Sequence, residues 1–272
     1  MLICTIGSKR RKCTLRFATE VARALTGQVT LLGIVGKEKD KDALHDALSK
    51  TITRLEKHGI TVSLRIETGS SESIMMAELE RETYDLVALG ALGGKRSRRT
   101  FFATVGRRIV ERAQNSVLLI KGNNPELSRV LICASGAGHG HLAIWAGAAI
   151  ACGAQAQATV LHVVDALPAM YAGLEQMEET LAELLQSDTE RARELKWAAQ
   201  VVKAECDISE LKLRRGIVTE EILREARMGN HDLIVLGSSQ ASGGLVRAIM
   251  GDVAREVVNR AERPVLVVRP IS

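Results

Sequence analysis

The apolar residues of this chain fall into short aliphatic runs separated by stretches with helical spacing. Five runs in the first half predict strands at 2–6, 29–35, 61–66, 85–89 and 116–121. They are rich in β-branched residues and show no clean polar alternation, as parallel strands covered on both faces do. Between them, apolar residues recur at helical intervals. Ala18, Val21, Ala22 and Leu25 form one stripe, stopped at Gly27. Leu44, Leu48, Ile52 and Leu55 form a second that ends near Gly59. Ile74, Ala77 and Glu78 start a third, and Val105, Ile109 and Val110 line a fourth. The second half repeats the order, with strands expected near 129–134, 158–164, 206–213, 232–236 and 264–269.

The repetition extends to residue identity. Leu2-Ile3-Cys4 followed by Gly7 returns as Leu131-Ile132-Cys133 followed by Gly136, an offset of 129 positions. Asp85 to Gly90 returns as Asp232 to Gly237, an offset of 147. A period this long, holding strands and helices, indicates two copies of a small α/β domain rather than a solenoid. The two offsets differ because about eighteen residues are inserted after the second strand of the second copy. Within 165–200, Leu174, Met177, Leu181, Leu184 and Leu185 keep helical spacing, with Glu175, Glu178 and Glu179 opposite. This predicts a longer second helix on the sheet; a lid or a contact to the other half is the alternative. Gly122-Asn123-Asn124-Pro125 favours a turn and sets the expected domains at 1–123 and 128–272. The fold class is α/β: two tandem doubly wound domains, each a five-stranded parallel sheet flanked by about four helices. With strand order 3-2-1-4-5, ligands are expected beyond the carboxyl ends of strands 1 and 4, where the winding reverses.

Composition narrows the setting. The first apolar run ends at Ile6 and meets Lys9-Arg10-Arg11-Lys12, unlike a secretory leader. The weakly polar stretch from Leu142 to Ala154 is too short to span a bilayer, so no membrane insertion is expected. Five cysteines without a Cys-x-x-Cys pair suit reduced thiols and a cytoplasmic location. The net charge of +5 is uneven: residues 1–125 carry 22 basic and 13 acidic side chains, the remainder 15 and 19. With only 3% aromatic residues there is no interleaving for base stacking, so nucleic acid is not expected as a partner. The excess reads instead as a basic face, or as attraction between the halves or to another copy.

Candidate chemistry lies in the loops after strand 4. In the first copy, Gly90-Ala91-Leu92-Gly93-Gly94 precedes Lys95-Arg96-Ser97-Arg98-Arg99 and then Ala103-Thr104-Val105-Gly106. Glycines at a strand end let backbone N–H groups approach phosphate, and a following helix N-terminus favours an anion. A basic loop with a helix-capping threonine reads the same residues without a ligand. His139-Gly140-His141 lacks a nearby third ligand for a metal, and His162 reads as a core or rim histidine. Neither a Gly-x-x-x-x-Gly-Lys-Ser/Thr loop nor a Gly-x-Ser-x-Gly elbow is present, and no triad is evident, so no catalytic residue or metal site is assigned.

The first-copy spacing resembles the universal stress protein family. Its nucleotide-binding members carry Gly-x-x-Gly, nine residues, then Gly-Ser/Thr. Here Gly90 and Gly93 precede Ala103-Thr104 at that spacing, departing only at Ala103. The resemblance covers nearly the whole chain, as a tandem member. It implies an adenine-nucleotide site, for ATP (with Mg²⁺) or AMP, at Thr5, Ile6, Gly7, Ile34, Gly90, Gly93, Ala103, Thr104 and Val105. The second-copy set is Ala134, Ser135, Val163, Gly237, Gly251, Asp252 and Val253, and it reads as degenerate. Gln240 replaces the second glycine there, and Asp252 stands where the family faces phosphate with Ser or Thr. Ile6 and Ser135 also replace the strand-1 Asp usual in nucleotide-binding members. The expectation is a non-catalytic stress-response module that binds nucleotide in its first copy. The two copies are expected to form an internal pseudo-dimer through their last strands, with a homodimer and an unidentified protein partner beyond it. The alternatives are a ligand-free interaction protein and, more remotely, a weak nucleotide hydrolase.

Overall fold

The computed structural model describes residues 1–6, 11–25, 27–90, 109, 115–122, 126–134, 140–164, 180–206, 209–238 and 252–270. In the first lobe the order is β1 (Leu2–Ile6), α1 (Arg11–Leu25), β2 (Val29–Val35), α2 (Lys41–Glu56), β3 (Val62–Thr68), α3 (Ser71–Arg81), β4 (Leu86–Gly90) and β5 (Ser116–Ile120). The second lobe runs β6 (Arg129–Ala134), α4 (Gly140–Ala154), β7 (Gln157–Val164), α5 (Leu181–Gln186), α6 (Glu190–Glu205), β8 (Ser209–Arg215), α7 (Val218–Met228), β9 (Leu233–Gly237), α8 (Asp252–Arg260) and β10 (Val265–Val268). Ile109 of the fourth predicted helix is helical and fully buried, whereas Val105 and Val110 lie outside the described residues. No helix among the described residues is long and apolar enough to cross a membrane.

The ten strands form one sheet in the order β3-β2-β1-β4-β5-β10-β9-β6-β7-β8. Each lobe is parallel within itself and follows the 3-2-1-4-5 order. The lobes join where β5 and β10 pair antiparallel, with Val117, Leu118 and Leu119 opposite Val267, Leu266 and Val265. Because that pair is antiparallel, the strands of the two lobes run in opposite senses. Their carboxyl ends therefore lie at opposite edges of the sheet. Central strands such as β1, β4 and β6 are buried on both faces, as their predominantly apolar runs require.

Two apolar layers cover the sheet. One packs α1, α2, α4 and α6 on a face that both lobes share, from Leu15, Phe17 and Leu48 to Ala148 and Val202. The other packs α3, α7 and α8 on the opposite face. In the first layer α1 meets α4 where the internal repeat closes on itself. Gly153 is the repeat equivalent of Ala24, and a Cβ on Gly153 would sit 2.2 Å from the Ala24 carbonyl oxygen and 2.6 Å from its Cα. Two helices related by a pseudo-twofold axis can approach this closely only if one partner lacks a side chain. Across the same boundary, Lys121 Nζ donates to the carbonyls of Val258 and Ala261, the latter at 3.0 Å, and closes the C-terminal end of α8. The Arg269 backbone N–H donates to Ser116 Oγ at 3.1 Å.

Each lobe ties its edge strand to the following helix with a buried carboxylate. Arg65 on β3 reaches Glu78 on α3 at 2.8 Å, and the repeat-equivalent Lys212 on β8 reaches Glu225 on α7 at 3.0 Å. Arg214 adds a second pair to Glu225. Burial pushes the Glu225 carboxyl up, but the bonds from Arg214 and Lys212 outweigh it and hold the group below the ordinary carboxylate range.

The insertion departs from the sequence expectation. The second helix of lobe two is not lengthened: α6 has 16 residues, as does α2. Thr180 and Glu183 form a capping box that starts α5, and Thr189 caps α6 through the Ala192 N–H, so two separate helices result. Leu184 of α5 packs with Ala192 and Leu195 against Ala134, Leu211 and Leu213 of its own lobe. Leu174, Glu175, Met177, Glu178 and Glu179 lie outside the described residues.

Gly153→Ala is expected to lower the unfolding free energy by about 1–3 kcal/mol, because α1 and α4 must separate. An unchanged urea midpoint would show that the helices do not meet there. Glu225→Gln should cost about 2 kcal/mol at pH 7, since both cations keep some solvent. With a depressed folded pKa, that carboxylate stabilises above its unfolded value of about 4.3, and the gain is lost as pH falls through the folded value. The variant should therefore show a shallower acid-side loss of stability in melts across that range, and an identical slope would contradict this.

Candidate functional site

In the first lobe, β1, β2 and β4 deliver Thr5, Ile6, Ile34 and Gly90 to one edge of the sheet. Ile6 registers against Ile34 and Thr5 against Gly33. On the other side of β1, Cys4 registers against Leu89, so Thr5 and Gly90 follow at the same edge. Here β1 neighbours β2 on one side and β4 on the other, the point at which the winding reverses. Thr5 and Ile34 are almost wholly buried, so what Ile34 offers a ligand is main chain. Ile6 is half-buried and packs on the α3 side of the sheet. Gly7, Gly93, Ala103, Thr104 and Val105 lie outside the described residues.

Gly90 has a packing reason of its own. A Cβ there would lie 2.2 Å from Thr14 Cγ2 and 2.9 Å from Thr14 Oγ1, so with Thr14 on α1 the end of β4 has room only for a glycine. The first glycine of the loop is thus required by helix–strand contact whether or not phosphate approaches it.

The second lobe places Ala134, Val163 and Gly237 at its carboxyl edge, with Asp252 and Val253 opening α8. Ser135 and Gly251 lie outside the described residues. Ala134 registers against His162, whose Nδ1 lies 3.0 Å from the Ala134 carbonyl. Burial lowers the His162 pKa despite that bond, so the ring is neutral near pH 7 and Nδ1–H is the donor. His162 takes the position that Gly33 holds in the first lobe. A Cβ on Gly33 would meet Leu44 of α2 at 2.8 Å, so this position faces the helical layer rather than the cleft. His162 therefore serves the rim of the core. Asp252 is 99% exposed at the side chain and pairs with Arg255 at 3.7 Å within the first turn of α8.

Ser238, immediately after Gly237, was not singled out in the sequence. It is 3% exposed, its N–H donates to the Val268 carbonyl at 2.9 Å, and its hydroxyl has no partner among the described residues. Its position one residue beyond the strand-ending glycine is the only sequence signal for it. Elsewhere, His141 packs against Trp197 with ring centroids 4.0 Å apart and the planes tilted by 40°. Burial pushes the Cys4 and Cys133 thiols up, so both are poor nucleophiles.

Gly90→Ala is expected to cost about 1–3 kcal/mol of stability, and the double change with Thr14→Ala should recover part of it. Thermal melts of the two variants check the contact; additive losses would contradict it.

Known proteins share this fold. The profile of the universal stress protein family matches residues 126–269. A universal stress protein of Methanocaldococcus jannaschii is 32% identical over 117 residues, which is 42% of this chain and 65% of that protein's length. A functionally unknown protein from Pseudomonas aeruginosa PAO1 superposes with a TM-score of 0.70 at 19% identity, over 99% of this chain and 92% of its own. A universal stress protein from Archaeoglobus fulgidus superposes with a TM-score of 0.63 at 16% identity, over 98% of each chain. At those identities the structural likeness speaks for the fold alone. With the profile spanning more than half of its length and the second lobe almost entirely, the chain belongs to the universal stress protein family.

Proposed function

We propose that the chain is a cytoplasmic regulatory binding module rather than an enzyme, and that its first lobe takes an adenine nucleotide, ATP or AMP. The observation that carries this reading is the run from Gly90 through Gly93 to Ala103-Thr104, which leaves β4 beside β1, where the winding reverses. Backbone N–H groups of the loop and the Thr104 hydroxyl would receive phosphate, with Thr5, Ile6, Gly7, Ile34 and Val105 around the nucleoside.

Local electrostatics favour the first lobe over the second. The first-lobe loop is followed by four cationic side chains in Lys95-Arg96-Ser97-Arg98-Arg99. In the second lobe the Asp252 carboxylate opens α8, and about 5 Å from a phosphate it would cost roughly 3 kcal/mol at an effective dielectric near 20. Arg255 beside it offsets part of that repulsion. A second reading, a ligand-free interaction protein that pairs with another copy or a protein partner, is favoured by Ile6. That side chain accepts no hydrogen bond from adenine or ribose.

Calorimetric titration with ATP and AMP, each with and without Mg²⁺, separates the two. The expected result is one site per chain, weakened about tenfold by Thr104→Ala, the loss of one hydrogen bond to a charged group. Asp252→Ala should leave that site unchanged. Absence of heat for both nucleotides at high micromolar protein would reject nucleotide binding and leave the ligand-free reading.

A further inference from the structure

The helix pairs α1/α2 and α4/α6 are related by the internal repeat, with offsets of 129 and 147. Under those offsets Lys12, Arg16 and Lys50 of the first lobe become His141, Trp145 and Trp197 of the second. The three rings meet one another between α4 and α6. His141 lies 4.0 Å from Trp197, and Trp145 meets Trp197 edge-on at 6.3 Å. In the first lobe the same positions are cations and the furrow is open. It encloses about 720 Å³ above Leu15, Thr19, Ala43 and Ala47, with Lys12, Arg16, Lys50 and Arg54 around it. A second hollow of about 300 Å³ continues past Lys50 and Arg54 to Lys57.

Most of this charge is unspent. Arg54 is held by Glu20 at 3.0 Å, but Lys12, Arg16, Lys50 and Lys57 have no ion pair among the described residues. Asp46 is the one carboxylate among the residues that line the larger hollow, and it is 87% exposed. From Ala43 to Lys57 the groove follows α2 for about 21 Å, at roughly 1.5 Å per residue. A single phosphate would leave most of that length empty, whereas four turns of helix would fill it. The apolar floor suits side chains rather than a sugar–phosphate chain, and none of the residues lining either hollow is aromatic, so no base can stack.

We propose that the α1–α2 furrow is a docking groove for an acidic amphipathic helix of a partner protein. The apolar stripe of that helix would lie on Leu15, Ala43 and Ala47, and its carboxylates would face Lys12, Arg16, Lys50 and Lys57. The groove lies on the helical layer and not at the strand ends, so the inference stands whether or not the crevice takes a nucleotide.

The test is fluorescence anisotropy with a labelled synthetic peptide of about 16 residues, enough to span the groove. Its leucines keep helical spacing and its remaining positions are mostly glutamate. At about 0.15 M salt, where long-range attraction is screened, the full chain should bind it with micromolar affinity. The triple change Lys12→Glu, Arg16→Glu and Lys50→Glu should weaken binding by at least about thirtyfold, and Lys50→Glu alone by about tenfold. Lys196→Glu, an exposed position on α6 in the other lobe, should leave it unchanged. A circular dichroism melt verifies that the triple variant is folded; if it is not, the single variant alone decides. Equal binding of a scrambled peptide of the same composition would overturn the proposal, since charge alone would then suffice. It would also be overturned by tighter binding of a single-stranded oligonucleotide that the same variants abolish. So would self-association of the chain that the triple variant removes, because a second copy would then be the occupant.

Discussion

The pairing of β5 with β10 is the constraint from which the remaining architecture follows. It turns two five-stranded sheets into one of ten strands and gives the final strand of each lobe a partner on both sides. Being antiparallel, it imposes the pseudo-twofold relation that brings α1 onto α4. That approach then requires glycine or its near equivalent at the axis, met by Gly153 against Ala24. Lys121 and Ser116 add polar links across the same boundary. The apolar layer beneath α1 and α4 has no gap between the lobes, so neither has an independent core on that face.

The same geometry separates the two candidate crevices. Opposed strand directions send the carboxyl ends of the lobes to opposite edges, so one crevice can change without disturbing the other. The repeat-equivalent positions record that divergence. Gly33 leaves room for Leu44 beneath α2, whereas His162 fills the matching position and bonds the Ala134 carbonyl. The second lobe adds α5 next to Ala134, and it sets Trp145 against Trp197 where the first lobe presents Arg16 and Lys50. What persists in both lobes is the buried carboxylate that anchors the helix after the edge strand, Glu78 and Glu225, a matter of stability.

The strands and their order were legible because parallel strands buried on both faces must be aliphatic throughout, and because Asp85–Gly90 and Asp232–Gly237 fix the repeat. The inserted segment was misread because periodicity at Leu181, Leu184 and Leu185 does not reveal a break; Thr180 and Thr189, the capping residues, carried that information. Gly90 was legible as special, though its contact with Thr14 was not. A sequence shows that a side chain is missing but not which neighbour requires the space. Ser238 gave almost no signal, since a serine after a strand-ending glycine is ordinary until its burial is known. The furrow between α1 and α2 was invisible for a related reason. Lys12, Arg16 and Lys50 are surface cations along the chain, and only the packing of two helices gathers them.

Native-state hydrogen exchange on β5 and β10 tests the central claim of one continuous body most directly. Amides of Val117–Leu119 and Val265–Val267 are expected to exchange only through global unfolding, with the free energy of the central strands β1 and β6. Exchange of the β5 and β10 amides at a markedly lower free energy, with the two lobes unfolding in separate steps, would contradict it.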